Sequence, residues 1–177
     1  IAATEVLFVN AMSSIFAIQI GDMALALLSA SLFTASAGFL VWNWPPAKLF
    51  MGDVGSNSIG FILGVLALAS MHSGTLTVWT WLILLGVFVA DSGVTLIVRF
   101  VNKEKWHEGH SCHAYQNTAR RWGSHERVVV WMLLVNLIWL APLSWLSFLY
   151  PKNGFYICFV ALTPLVYLCR KYKAGMR

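Results

Sequence analysis

Pro46-Ala47-Lys48-Leu49-Phe50-Met51-Gly52-Asp53-Val54-Gly55-Ser56 lies between two apolar runs, residues 23–42 and 57–71. Each run approaches the length of a membrane-crossing helix, which needs about 20 mostly apolar residues. An acidic residue between two glycines, near a lysine and at the mouth of an apolar helix, suits lipid poorly. Charges at such positions are functional-site candidates. Asp53 could share Mg²⁺ with a phosphate, since Mg²⁺ keeps waters and seldom takes an all-protein cage. Gly52 and Gly55 allow close backbone approach. Ser56 and Asn57 are expected to cap the following helix, whose N-terminus favours an anion. The bland alternative is that Asp53 only helps to cap that helix.

Composition agrees with a membrane setting. Apolar residues make up 59% and charged residues 11% of the 177, against about 45–50% and 25% in soluble domains. Mean hydropathy is +0.71. The net charge of +5 is confined to a few inter-helix segments, so a nucleic-acid partner is not expected. Nine Trp suit interfacial anchoring. The three Cys imply no disulfide framework.

The chain therefore reads as one all-α integral-membrane domain, residues 1–177, with about six spans. These are expected at 4–20, 23–42, 57–71, 76–101, 126–150 and 154–169. Gly60 and Gly64 in the short third span would let a neighbouring helix approach. Pro142 is expected to kink the fifth. Residues 102–124 form a polar loop. With the N-terminus in the cytoplasm, Lys48, Arg99, Lys103, Lys105, Arg120, Arg121, Arg127, Arg170, Lys171, Lys173 and Arg177 all fall inside, and only Lys152 outside. The positive-inside rule favours that topology, with both ends cytoplasmic. It also puts the Asp53 segment and the 102–124 loop on one face.

Asp91 and Arg99 lie eight residues apart, a little over two helical turns, so they share a face. A buried Asp needs a partner or a polar cavity. The pair could contact a nucleotide or phosphate, or Asp91 could pair with another helix. In the loop, His107, His110 and His113 recur every three residues and would share one side of a helix. They could bind phosphate, build a zinc site with Cys112, or remain a solvated surface. Arg120 and Arg121 could simply be topology determinants or lipid-head contacts.

Taken together, Asn43, Pro46-Ala47-Lys48 and FMGDVGS (50–56) resemble the polyprenyl-phosphate N-acetylhexosamine-1-phosphate transferases, glycosyltransferase family 4. His110-Ser-Cys-His113-Ala-Tyr-Gln, followed by Ala119-Arg120-Arg121-Trp122-Gly123-Ser124, resembles the HxxHAYQ-type loop of the O-antigen-initiating branch. The Asp91–Arg99 spacing also matches, whereas the contiguous His motif of the muramoyl-pentapeptide branch is absent.

The resemblance implies transfer of a sugar-1-phosphate from a UDP-N-acetylhexosamine to undecaprenyl phosphate, releasing UMP, with Mg²⁺ or Mn²⁺. It implies a multi-pass enzyme of the bacterial inner membrane, among membrane lipids, with its active site on the cytoplasmic face. The product would start O-antigen, lipopolysaccharide or another envelope glycan. Asp53 would hold the metal. His110 and His113 would contact donor phosphates. Asn43 would lie near the nucleotide, Gly52, Gly55 and Ser56 would shape the metal loop, and Lys48, Asp91, Arg99 and Arg120 would assist binding. A homodimer is a further expectation. The family's DDxxD and NxxDGxDG-like motifs are not in this sequence, so it is expected to correspond to the C-terminal half and to be inactive alone. Competing readings are a zinc-dependent membrane hydrolase using the His/Cys loop and a non-catalytic, transporter-like subunit.

Overall fold

Gly21 stops the first helix, α1 (Ala2–Ile20), by turning left-handed at φ 87, and its N–H returns to the Ala17 and Ile18 carbonyls. Asp22 then caps α2 (Met23–Asn43) by accepting from Leu25 N at 3.0 Å. This two-residue turn folds α1 and α2 into an antiparallel hairpin. The same Asp22 carboxylate accepts from Thr75 Oγ1 at 2.6 Å and Ser73 Oγ at 3.4 Å. It thus ties the hairpin turn to the end of α3 (Gly52–His72). The Thr75 hydroxyl, then the Leu25 N–H, hold the Asp22 carboxyl below the usual carboxylate range.

This computed structural model describes residues 1–44, 46–103 and 113–175, and every regular element among them is helical. Five helices are long and apolar enough to cross a membrane, or six if one bent pair counts as a span. The chain is a multi-pass membrane protein. The bent pair is α4 (Val78–Leu84) and α5 (Gly86–Val101), which meet at 83°. That corrects the single straight helix expected over 76–101. The break is enclosed: Ile83 and Leu84 have no exposed surface, and a Cβ on Gly86 would sit 3.2 Å from Leu140 and 3.3 Å from Leu162. Irregular backbone is tolerated at membrane depth when protein buries it.

α6 (Ala114–Trp122) is a short helix inside what the sequence suggests is a polar loop. It leads through Gly123 to α7 (His125–Val135). The kink expected at Pro142 takes the form of a π-turn, Asn136–Leu140, before α8 (Ala141–Leu149). Proline has no N–H and its ring crowds the carbonyl four residues back, so the helix widens there. A 3₁₀ turn, Pro151–Asn153, precedes α9 (Gly154–Lys171).

The core gathers around α1, α4, α8 and α9. Phe16 stacks on Phe148 at 4.6 Å and tilts against Trp145 at 5.5 Å. Trp81 Nε1 donates to Ser70 Oγ at 2.7 Å, joining α4 to α3, and Thr80 and Ser147 hydroxyls bond at 3.1 Å, joining α4 to α8. Glu5 Oε1 accepts from Asn136 Nδ2 at 2.6 Å, joining α1 to the π-turn with neither residue exposed. The outer faces of α2 and α3 carry exposed Leu27, Leu28, Val41, Phe61 and Leu68. That is ordinary where lipid tails are as apolar as the side chains. Nothing among the described residues comes within 4 Å of a Cβ placed on Gly60 or Gly64, so the close approach expected there is not made among them.

Candidate active site

The bundle has two distinct ends. At one, Ile1 packs on Ala119, Val128 and Met132 of α6 and α7. The antiparallel hairpin returns Asn43 to that end, and Leu49, three residues before α3, is bonded back to it. α9 finishes there too, since Asn117 Nδ2 donates to the Tyr172 and Lys173 carbonyls at 3.2 and 2.8 Å. At the other end lie Asp22, Ser73, Thr75 and the Gly154–Trp79 contact. Among the described basic residues, Lys48, Arg99, Lys103, Arg120, Arg121, Arg127, Arg170, Lys171 and Lys173 belong to the first end and only Lys152 to the second. The structure thus brings the Asp53 segment and the 113–124 segment to one basic end.

The segment before α3 is strapped down by its own backbone. Lys48 N and Leu49 N both donate to the Trp42 carbonyl, at 2.9 and 3.1 Å, and Asn43 Nδ2 donates to the Leu49 carbonyl at 2.8 Å. Lys48 Nζ lies 5.9 Å above the Trp42 ring. Asn43 therefore braces the loop, and the resemblance implies a nucleotide nearby. Gly52 has φ 64, a value that only glycine adopts cheaply, and α3 begins there rather than at residue 57. Asp53 sits in the first helical turn, exposed, next to the positive end of the helix dipole. Ser56 is inside the helix and its hydroxyl donates to the Asp53 carbonyl at 3.3 Å, so neither Ser56 nor Asn57 is the cap. Gly55 is small for a reason: its Cβ would lie 2.7 Å from Met51 Cγ.

One exposed carboxylate in the first turn of a helix fits the way Mg²⁺ binds through one or two carboxylates plus substrate phosphates. Among the described residues no group of three His, Cys, Asp or Glu side chains could by itself enclose a metal.

Asp91 and Arg99 are both buried on α5, with Thr95 between them on the same stripe. Their shared face is as the spacing implies. Asp91 Oδ1 accepts from Ala114 N at 2.8 Å and from Thr95 Oγ1 at 3.4 Å, and His113 Nδ1 stands 3.6 Å away. Asp91 thus pairs with the start of another helix, α6, as one of the two readings offered for it has it. His113 is the extended N-cap of α6 (φ −66, ψ 150), and its N–H donates to Gln116 Oε1 at 3.1 Å in a capping box. His113 therefore precedes the body of α6; the sequence groups it with His107, His110 and Cys112. The last three lie outside the described residues. Arg120 is exposed and donates to Asn117 Oδ1 at 3.2 Å. Tyr115 stacks on His113 at 5.7 Å; burial, then the Asp91 charge, push its hydroxyl above the ordinary tyrosine value.

Sequence reasoning missed Asn117, which fastens α6 to α9, and the Glu5–Asn136 pair. A buried acid on an apolar helix was the available signal for Glu5. A groove among α5, α6, α7 and α9 is lined by Asp91, Tyr115, Trp122, Trp131, Leu165 and Tyr172, among others. Its cavity of about 70 Å³ is far below the roughly 300–1,000 Å³ of a small-molecule site.

Fold and site together define a polytopic helical membrane protein with one basic, phosphate-compatible end. Residues 1–71 match the family model for glycosyl transferase family 4. The chain is 28% identical over 127 residues to a probable undecaprenyl-phosphate N-acetylglucosaminyl 1-phosphate transferase of Bacillus subtilis, covering 71% of this chain and 36% of that protein. It is 46% identical over 72 residues to the phospho-N-acetylmuramoyl-pentapeptide-transferase of Gluconobacter oxydans, covering 41% and 18%. The same enzyme of Rhodopseudomonas palustris is 42% identical over 79 residues, covering 45% and 20%. The chain thus spans about a third or less of the length of these relatives. No solved structure matches. Residues 1–71 are thus similar to glycosyl transferase family 4, the family that the sequence resemblance also names.

Proposed function

We propose that the protein acts in transferring a sugar-1-phosphate from a UDP-N-acetylhexosamine to undecaprenyl phosphate at the cytoplasmic face of the bacterial inner membrane. The observation that carries this reading is the gathering of Asp53, His113 and nearly all described basic residues at one end of a membrane bundle. The relatives' names support the same chemistry. The acceptor's tail stays in lipid while its phosphate and the donor meet at this end. Both are anionic, so the reaction needs charge neutralisation and positioning more than covalent chemistry from the protein. Lys48, Arg120 and Arg121 supply positive charge from exposed positions. His113 and His110 are assigned to the donor phosphates. Asp53 would hold Mg²⁺, which supplies charge neutralisation at the diphosphate when bound.

The asymmetry of Lys and Arg supports the cytoplasmic placement of the basic end. An O-antigen or lipopolysaccharide role rests on the His-loop resemblance. The 46% identity over 72 residues favours a second reading, a muramoyl-pentapeptide donor and a peptidoglycan role. One experiment tests both. Membranes containing the whole protein are given undecaprenyl phosphate and a panel of UDP-N-acetylhexosamines or UDP-muramoyl-pentapeptide, with Mg²⁺ or chelator. Mg²⁺-dependent UMP release, lost in Asp53→Asn, is expected, and the productive donor chooses between the readings. Release that persists in Asp53→Asn removes Asp53 from the metal site.

A further inference from the structure

We propose that Asp91 is a positioning residue: it holds the first turn of α6, and through it His113, at the basic end, and does not itself meet substrate. The activity arm of this proposal rests on the transferase reading above; its structural arm does not. Ala114 is the first residue of α6, so its N–H is one of four donors that a helix start leaves without an internal partner. Asp91 Oδ1 takes that N–H at 2.8 Å across 23 residues of sequence. The carboxylate also lies at the positive end of the α6 dipole. The residue is only 7% exposed, and Thr95 Oγ1 and His113 Nδ1 crowd the same oxygen. The adjoining groove is lined mostly by apolar side chains.

Asn117 provides a second anchor three residues on, through the Tyr172 and Lys173 carbonyls. α6 is therefore clamped at its start to α5 and at its middle to the end of α9. Asp91 is thereby joined to the machinery through His113 and not through a phosphate. The two possibilities make opposite predictions. A substrate-binding carboxylate needs its charge. An anchor needs only an acceptor oxygen, which asparagine retains.

The test uses the whole protein in membranes with Asp91→Asn, Asp91→Ala and Ala114→Pro. Proline at the first helical position is tolerated and deletes only the donated N–H. The residue before it must be extended, as His113 already is. Two readouts are taken. The first is trypsin cleavage at Arg120 and Arg121, which needs no activity. Asp91→Ala and Ala114→Pro should speed it several-fold to a similar degree, with Asp91→Asn close to wild type and the Asp91→Ala/Ala114→Pro pair no faster than either.

The second readout is UMP release. Asp91→Ala should lower kcat about 10–100-fold, the size expected for leaving one buried N–H donor without an acceptor, with KM for undecaprenyl phosphate unchanged. Asp91→Asn should recover most of it, and Asp91→Ala/His113→Ala should fall no further than His113→Ala. Unchanged trypsin rates in Asp91→Ala and Ala114→Pro would overturn the anchor. So would an Asp91→Asn enzyme as impaired as Asp91→Ala with wild-type cleavage, since the charge would then be acting on substrate. If no donor yields UMP even in wild type, the transferase reading fails, and the trypsin arm still decides the anchor. If Asp91→Ala does not accumulate, Ala114→Pro carries the same comparison.

Discussion

Replacing Asn136 with leucine should expose how much the bundle depends on its buried Glu5–Asn136 pair. Both residues have no exposed surface, and their hydrogen bond is 2.6 Å long. Glu5 Oε2 and Asn136 Oδ1 have no further partner among the described residues. Asn136→Leu leaves both Glu5 oxygens unmatched, and Glu5→Leu strands the Asn136 amide. An orphaned buried polar group costs about 1–3 kcal/mol. Interhelical hydrogen bonds within membranes average about 0.6 kcal/mol and reach about 1.7. A short, fully enclosed pair belongs near the upper value, so a coupling of about 1–1.5 kcal/mol is expected. The double variant Glu5→Leu/Asn136→Leu strands nothing and should be more stable than the sum of the single losses by that amount. Glu5→Gln keeps a carbonyl for Asn136 Nδ2 and should cost less than Glu5→Leu. Thermal unfolding in mild detergent, followed by Trp fluorescence, reads this; about 1 kcal/mol corresponds to roughly 2–4 °C for a chain of this size. Single losses that simply add would refute the reasoning.

Gly154→Ala should lower the unfolding midpoint, by about 1–3 kcal/mol in stability, because the new Cβ would stand 2.7 Å from Trp79 Cδ1 and 2.9 Å from Trp79 Cβ. Gly52→Ala should cost about 1–2 kcal/mol, since φ 64 is strained for a residue with a Cβ; a thermal midpoint equal to wild type would contradict the left-handed start of α3. Asp22 should make stability acid-sensitive. Its folded carboxyl titrates below the unfolded value of 3.8, so its contribution is present above about pH 4 and lost as pH falls through the folded value. Stability measured from pH 6 down to pH 3 should therefore fall less in Asp22→Asn than in wild type.

The spans were legible because apolar runs of about twenty residues between polar breaks have few other destinations. α1, α2 and the last span lie within a few residues of where the runs place them. The 83° bend was not legible, because Leu85-Gly86 sits in an unbroken apolar run and the residues that crowd Gly86, Leu140 and Leu162, lie more than fifty residues away in sequence. α3 begins five residues early because Gly52 takes a left-handed turn that composition does not announce. At the site, the sequence singles out Asp53, Asp91, Arg99 and His113 as polar residues needing explanation. It did not show that Asp91 faces a backbone N–H, since that contact joins two segments 23 residues apart. Asn117 escaped notice because a single surface amide carries no pattern, although its two carbonyl partners fix α6 to α9.

The bend between α4 and α5 has a bearing on how the chain is made. Seven helical residues span only about 10 Å, a third of a bilayer's hydrocarbon core. α4 has nowhere to settle except against protein, and it packs chiefly on α8 and α9, which leave the ribosome later. The α1–α2 hairpin can close as soon as it emerges, since its partners are adjacent in sequence. The α4–α5 elbow must wait in a provisional arrangement until α9 arrives, so the basic end described here is assembled only after α9 is inserted.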